Sequence, residues 1–159
     1  MSNWTPISLA KYCRYALGRD IRVVFKPYKE LGHDALVHPQ SQTLFYSDPH
    51  LPRWVVWHEC GHLALTKMAN INELVVPDYS PRLATSTKDF EFYGVRFEEH
   101  VQHERLAHLW AIQQARSRGM HKLFRELIDA INTNWDEIPV YREARRHLIQ
   151  DLHRLGISI

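Results

Sequence analysis

The sequence predicts an α+β fold, with the strands near the start of the chain and the helices after them. Three short segments with strand character lie between residues 21 and 47, and helical periodicity dominates from residue 53 onward. The regular alternation of strands and helices that marks α/β folds is absent. We therefore expect one small sheet packed against several helices.

The first helix is expected over residues 8–18, SLAKYCRYALG. Ser8 is a residue type that caps helices, Gly18 is one that ends them, and the apolar side chains between them recur at helical spacing. The β-branched and aromatic stretch IRVVFKPY, residues 21–28, follows as a strand that Pro27 interrupts.

Two further strands are expected to form a hairpin. The segments DALVHP (34–39) and QTLFYS (42–47) are apolar and are joined by a short polar turn. Together with the first strand they predict a small three-stranded antiparallel sheet.

The rest of the chain is mainly helical. A helix is predicted from Arg53 to Met68, another from Val95 to Arg118, and two amphipathic helices over residues 121–131 and 141–156. Residues 77–94 carry two prolines without helical periodicity, so we expect a loop that forms one wall of a cleft.

Length and composition limit the possible functions. We expect residues 1–159 to form a single domain, with the helices after about residue 120 as a C-terminal extension. The net charge of +2 argues against direct binding to nucleic acid or to an anionic membrane. The sequence shows neither a signal peptide nor an apolar run of the ~20 residues that span a bilayer. These features predict a cytoplasmic protein.

The central motif is WVVWHECGHLAL, residues 54–65. His58 and His62 are one helical turn apart, so both imidazoles can bind one ion. Glu59 is rotated by ~100° from His58 and lies beside such an ion, where it can act as a general base. A catalytic Zn²⁺ takes three protein ligands and keeps an open position, whereas a structural zinc takes four. The motif predicts two zinc ligands and requires a third from elsewhere.

Chance is the competing explanation, because the chain holds 11 histidines and such a composition yields HExxH in about one chain in twenty. The apolar residues on both sides of the motif, however, predict a buried helix, in which His, Glu and His need a partner such as a metal ion. Cys60 within the motif, like Cys13, is expected to be a small packing residue.

Glu104 is the predicted third ligand. When the helix after residue 95 is projected at ~100° per residue, Glu104 lies among apolar and small residues, where a lone carboxylate is costly without an ion. Glu98 and Glu99 project away from that face. His100 and His108 lie one turn to each side of Glu104, so each is a candidate partner of Glu104 or, as the weaker alternative, the third ligand itself. For His108, an ordinary buried histidine is an equal alternative.

These residues resemble the ImmA/IrrE family of small zinc metallopeptidases. In that family a ligand glutamate is followed by Ala three residues on, an aromatic residue six on and Ala seven on. This chain has E-R-L-A-H-L-W-A, with Glu104, Ala107, Trp110 and Ala111 at those positions. The resemblance covers about residues 8–115, and it implies a zincin-like minimal metallopeptidase whose N-terminal helix and antiparallel sheet pack on the HExxH helix.

The resemblance implies a zinc-dependent endopeptidase with His58, His62 and Glu104 as ligands and Glu59 as the general base. Members of the family are often carried by phages or mobile elements, and they cut a helix-turn-helix transcriptional repressor in the cytoplasm. The expected partner is such a protein substrate, since this chain has no DNA-reading motif of its own. Family members commonly have Asn where His108 stands.

A second class of function stays open at this point. The protein can be a regulatory module without catalysis, in which a structural zinc stabilises the chain and the protein docks a partner. A fourth protein ligand, such as His100 or His108, would favour that alternative. Tyr79, Tyr93 and Arg96 are candidates for stabilising an oxyanion, and none of them is preferred.

Overall fold

The computed structural model of the protein describes residues 3–68, 97–135 and 138–159. The chain divides into two compact units, Met1–Ser80 and Pro81–Ile159. The loop predicted over residues 77–94 lies outside the described residues.

The described part of the first unit contains three helices and three strands. They are α1 (Pro6–Leu17), β1 (Arg22–Phe25), α2 (Tyr28–Leu31), β2 (Ala35–His38), β3 (Thr43–Tyr46) and α3 (Arg53–Met68). Helix α3 has the predicted bounds. The one-turn helix α2 is not anticipated by the sequence analysis, and it follows directly after Pro27, where the ladder of β1 has ended.

Helix α1 begins two residues earlier than predicted because Thr5, and not Ser8, caps it. The Ser8 N–H donates to Thr5 Oγ1 at 3.1 Å, and the Thr5 N–H donates to Ser8 Oγ at 2.9 Å. This reciprocal capping box, with Pro6 in the first turn, satisfies N–H groups that a helix start leaves without partners. The helix ends at the predicted Gly18, whose φ of 73° is a left-handed conformation that glycine adopts without steric cost.

The sheet is mixed, so the prediction of a fully antiparallel sheet is wrong. Its strand order is β1-β3-β2, and β3 pairs antiparallel with β2 and parallel with β1. The chain reverses direction once between β1 and β2 and again at the hairpin turn, so β3 runs in the same direction as β1. Because β3 is the central strand, its Leu44 and Tyr46 are buried, whereas β1 and β2 form the more exposed edges.

Helix α3 is held by side chains from the elements around it. It packs on α1 and on β2. Trp57 Nε1 donates to Tyr12 Oη at 2.8 Å, and Arg19 Nη2 donates to the Leu63 carbonyl at 3.2 Å. Trp57 and Leu63 are themselves fully buried. Two side-chain hydrogen bonds therefore anchor α3 at separate turns, one to Tyr12 of α1 and the other to Arg19.

The second unit is helical in its described part. Its helices are α4 (Phe97–Ser117), α5 (His121–Thr133) and α6 (Pro139–Arg154). Each bound lies within about two residues of the predicted one. Helix α4 packs on both α5 and α6 through buried small and branched side chains. With six helices and one three-stranded sheet in the described residues, the predicted α+β class is confirmed.

A largely buried ion pair joins α4 to α6. Arg105 donates from Nη2 to Asp151 Oδ1 at 2.7 Å and from Nε to the other carboxylate oxygen, so the pair is bidentate. Arg105 Nη1 also donates to Gln102 Oε1 at 2.7 Å. The hydrogen bond to Asp151 raises the pKa of the Arg105 guanidinium above its usual value. Only 8% of the Asp151 side chain is exposed, so its charge needs compensation, which Arg105 provides together with Arg154, whose Nη1 lies 3.6 Å from Asp151 Oδ1.

None of the helices in the described ranges combines the length and the apolar character that crossing a membrane requires.

We predict that Asp151→Asn lowers the free energy of unfolding by about 2–3 kcal/mol. Breaking a buried ion pair costs ~3–5 kcal/mol, and we expect a loss at or slightly below the lower limit because Arg105 is 22% exposed and keeps Gln102 as a partner. Urea denaturation followed by circular dichroism measures the change. The matched control is Glu143→Gln, which breaks the exposed pair with Arg146 on the same helix and should leave the midpoint nearly unchanged. Equal effects of the two substitutions would contradict a structural role for the Arg105–Asp151 pair.

Candidate metal centre

The two histidines of the HECGH motif converge on a common point. They lie one turn apart in α3, and their Nε2 atoms are 3.3 Å apart. The ring centroids are 5.0 Å apart and the ring planes are inclined by 79°. Two neutral imidazoles in this arrangement present two nitrogen lone pairs to one position, or share a single proton between them.

The separation of 3.3 Å between the nitrogens agrees with tetrahedral zinc coordination. Zinc binds imidazole nitrogen at ~2.0–2.1 Å, and two ligands at the tetrahedral angle are then about 3.3 Å apart. The pair is therefore at the spacing that zinc requires without any change of backbone.

The surroundings of the histidines are apolar, as the sequence predicts. His58 is 6% exposed, and Val56, Trp57, Cys60 and Leu63 are fully buried. An imidazole in such a place is stable only when its nitrogens are engaged by hydrogen bonds or by a metal ion.

Glu104 is a buried carboxylate on α4 and is 5% exposed. Val101, Ala107 and Ala111 on the same face are also buried, in agreement with the helical projection. One turn before it, His100 Nε2 lies 3.4 Å from Glu104 Oε1. A carboxylate in this position needs a cation or several hydrogen-bond donors to remain ionised.

The structure brings the three predicted ligands together. One ligand atom from each of His58, His62 and Glu104 lies within 4.8 Å of the others, so the group can hold a metal ion. Among the described residues, no second group of three or more His, Cys, Asp or Glu side chains meets this condition. Two imidazole nitrogens and one carboxylate oxygen form a donor set that fits zinc and leaves one tetrahedral position for water.

Glu59 is half-buried and directly follows His58 in α3. It is not part of the three-residue ligand group. Its rotation of ~100° about the helix axis places it next to the group rather than within it. A general base has to reach the reacting water and not the ion, so a position beside the ligand group is compatible with the role expected of Glu59.

The other acidic candidates differ from Glu104 in exposure or lie outside the described residues. Glu98 and Glu99 are exposed at the start of α4, as predicted. His103 is half-buried and is not part of the ligand group. The three candidates for stabilising an oxyanion, Tyr79, Tyr93 and Arg96, lie outside the described ranges, as do the further acidic residues Glu73 and Glu91.

His108 has the geometry of a buried histidine with a hydrogen-bonded ring nitrogen. Its Nε2 lies 2.8 Å from the carbonyl of Leu127 on α5, and its ring packs against Trp135 at 4.8 Å between centroids. The nitrogen that faces the carbonyl carries the proton, so only Nδ1 remains as a possible metal ligand. His108 is not part of the ligand group, and of the alternatives open for it this absence favours the ordinary buried histidine.

Cys60 behaves as the packing residue that the sequence predicts. Cys13 and Cys60 are free thiols and both are buried. The hydrogen bond to Cys13, together with burial, holds the pKa of the Cys60 thiol well above its usual range. The protonated thiol is a weak metal ligand and a weak nucleophile, so it does not compete with the imidazoles beside it.

Two supports of the motif helix are not anticipated by the sequence analysis. They are the hydrogen bond from Trp57 to Tyr12 and the one from Arg19 to the Leu63 carbonyl. No local signal marks Arg19, whose partner is 44 residues away. The contact with Tyr12 did have a signal in the sequence. Tyr12 and Tyr15 are three residues apart, so they lie on one face of α1, and both pack against Trp57 of α3.

Comparison with known proteins adds no assignment: no protein-family model, curated protein or solved structure matches this chain.

We predict that the purified protein binds one Zn²⁺ per chain, and that His62→Ala and Glu104→Gln each weaken the affinity by more than about 100-fold. Residues that only orient a ligand contribute ~10–100-fold, and the loss of a ligand should exceed that range. Elemental analysis gives the stoichiometry, and competition with a chromophoric chelator gives the affinity.

Two exposed residues supply matched controls for this experiment. His153→Ala removes an exposed imidazole and Glu98→Gln neutralises an exposed carboxylate on α4. Both variants should bind zinc as the wild type does. A wild-type protein that retains no zinc, or controls that lose it equally, would contradict the assignment of the three ligands.

Proposed function

We propose that the protein is a zinc-dependent endopeptidase that hydrolyses a peptide bond in a specific cytoplasmic protein. The observation that carries the proposal is the grouping of His58, His62 and Glu104. Three protein ligands leave a coordination position for water, which is the mark of catalytic rather than structural zinc.

The chemistry follows from the groups around that position. When bound, the zinc ion supplies Lewis acidity that makes water a stronger acid and the peptide carbonyl a better electrophile. Glu59 accepts a proton from the attacking water as its oxygen forms a bond to the carbonyl carbon. The same carboxyl then gives the proton to the amide nitrogen as the C–N bond breaks. His58, His62 and Glu104 would hold the ion, and Glu59 would carry the proton.

Membership of the ImmA/IrrE family is part of the proposal. It is supported by the order of the elements, in which a helix and a small sheet precede the HExxH helix and a later helix contributes the glutamate. It is also supported by the E-R-L-A-H-L-W-A segment of α4, in which Ala107 and Ala111 are buried with Glu104. The resemblance suggests a helix-turn-helix repressor of a phage or mobile element as the substrate.

The alternative function, a zinc-stabilised binding module without catalysis, requires a closed set of four ligands. His100 and His108 are its candidates for the fourth ligand. Neither belongs to the ligand group, and this observation favours the catalytic proposal.

We predict that Glu59→Gln retains zinc and loses proteolysis. General base catalysis contributes ~10²–10⁴-fold, so cleavage of the substrate should slow by at least that factor while metal content stays at the wild-type level. The experiment incubates each protein with the helix-turn-helix protein encoded beside it and follows cleavage on a gel.

Glu98→Gln is the matched control, because it removes the same charge from an exposed position on α4 and should leave cleavage unchanged. Undiminished cleavage by Glu59→Gln would refute the assigned base. Absence of cleavage by the zinc-loaded wild type would favour the binding module.

A further inference from the structure

We propose that His100 is a positioning residue that orients the carboxylate of Glu104 toward the metal ion. The inference rests on the proposed metal centre and deepens it. His100 and Glu104 are four residues apart on α4, and His100 Nε2 lies 3.4 Å from Glu104 Oε1. Their side chains are 10% and 6% exposed, so this contact forms away from bulk solvent.

A buried ligand carboxylate has two oxygens, and binding an ion with one of them leaves the other in need of a donor. Water is largely excluded here because Val101, Ala107 and Ala111 cover the same face of the helix. A neutral imidazole protonated at Nε2 supplies an N–H donor, and a small rotation of the carboxylate closes the 3.4 Å contact to an ordinary hydrogen bond. Partners of this kind fix the direction of a ligating carboxylate and favour its ionised form.

The helix makes the arrangement rigid. Residues four apart lie on one face of an α-helix, so the spacing of His100 and Glu104 is set by the backbone. The adjacent Arg105 anchors α4 to α6 through Asp151. An imidazole mounted on this helix can therefore select one rotamer of the Glu104 side chain before a metal ion binds.

The competing role for His100 is that of a fourth ligand. Histidine and glutamate at this spacing can both bind one ion, and four ligands would close the shell. The group of mutually close ligand atoms contains Glu104 and does not contain His100. The contact of His100 with a carboxylate oxygen, together with its absence from that group, favours a donor to Glu104 over a ligand to the ion.

The test uses the full-length protein and two variants of this residue. His100→Ala removes the donor, whereas His100→Gln places an amide N–H at the reach of the imidazole Nε2. His103→Ala is the matched control, since His103 is a half-buried histidine on the same helix outside the ligand group. Zinc affinity is measured by chelator competition, the absorption spectrum with Co²⁺ reports the ligand set, and thermal unfolding without metal reports the fold.

We expect His100→Ala to bind zinc about 10–100-fold more weakly, with an unchanged unfolding temperature of the metal-free protein. His100→Gln should recover most of that affinity and keep the Co²⁺ spectrum of the wild type. His103→Ala should bind as the wild type does.

Two results would overturn the inference while the metal centre stands. Wild-type affinity in both His100 variants would show that the contact does not orient Glu104. Equal loss in His100→Ala and His100→Gln, with an altered Co²⁺ spectrum, would make His100 a ligand. If Glu104→Gln itself leaves zinc affinity unchanged, the proposed metal centre fails and the role of His100 fails with it. If the His100 variants behave as expected but Glu59→Gln still cleaves substrate, only the proposed catalytic mechanism fails.

Discussion

The burial of ionisable side chains on apolar helix faces is the constraint on which the proposed site depends. His58 is 6% exposed and Glu104 is 5% exposed. Each would be destabilising alone, because an imidazole without partners and a carboxylate without a cation lose their hydration and gain nothing in return. A divalent cation removes both costs, since neutral imidazoles donate lone pairs to it and the carboxylate neutralises part of its charge. The apolar residues around these side chains would thus increase the free energy gained if a metal ion binds.

The two helices that carry the ligands are supported in different ways. Tyr12 and Arg19 hold α3 through hydrogen bonds to Trp57 and to the Leu63 carbonyl, one before His58 and one after His62. Helix α4 is held by an ion pair instead. Arg105 is rotated by ~100° from Glu104, so its bond to Asp151 fixes the rotation of α4 about its own axis and with it the direction of Glu104. Both sets of contacts act on the helices themselves and not on the side chains of His58, His62 and Glu104.

The spacing of apolar residues along the chain predicted the longer helices correctly. It did not predict how β1 pairs, because that depends on residues far apart in sequence. The bounds of α3 and the buried face of α4 follow from helical periodicity, which is why Glu104 is identified correctly as a buried residue. The direction of β1 relative to β3 depends on which edge of the hairpin β1 joins, and alternation of apolar residues carries no information about that choice. The predicted start of α1 is also wrong, because the sequence offers two possible caps. Thr5 and Ser8 are both capping residue types, and only the reciprocal bonds between them show which one occupies the cap.

The residues of the site do not carry equal weight as evidence. The separation of 3.3 Å between His58 and His62 follows largely from helix geometry, and in a chain with 11 histidines that spacing can arise without selection. Glu104 is different, because it lies 42 residues after His62 in sequence and no local rule brings its carboxylate near His58 or His62. Its burial also carries a desolvation cost that a bound cation would offset. Glu104 on α4 is therefore stronger evidence for a metal centre than the HECGH motif.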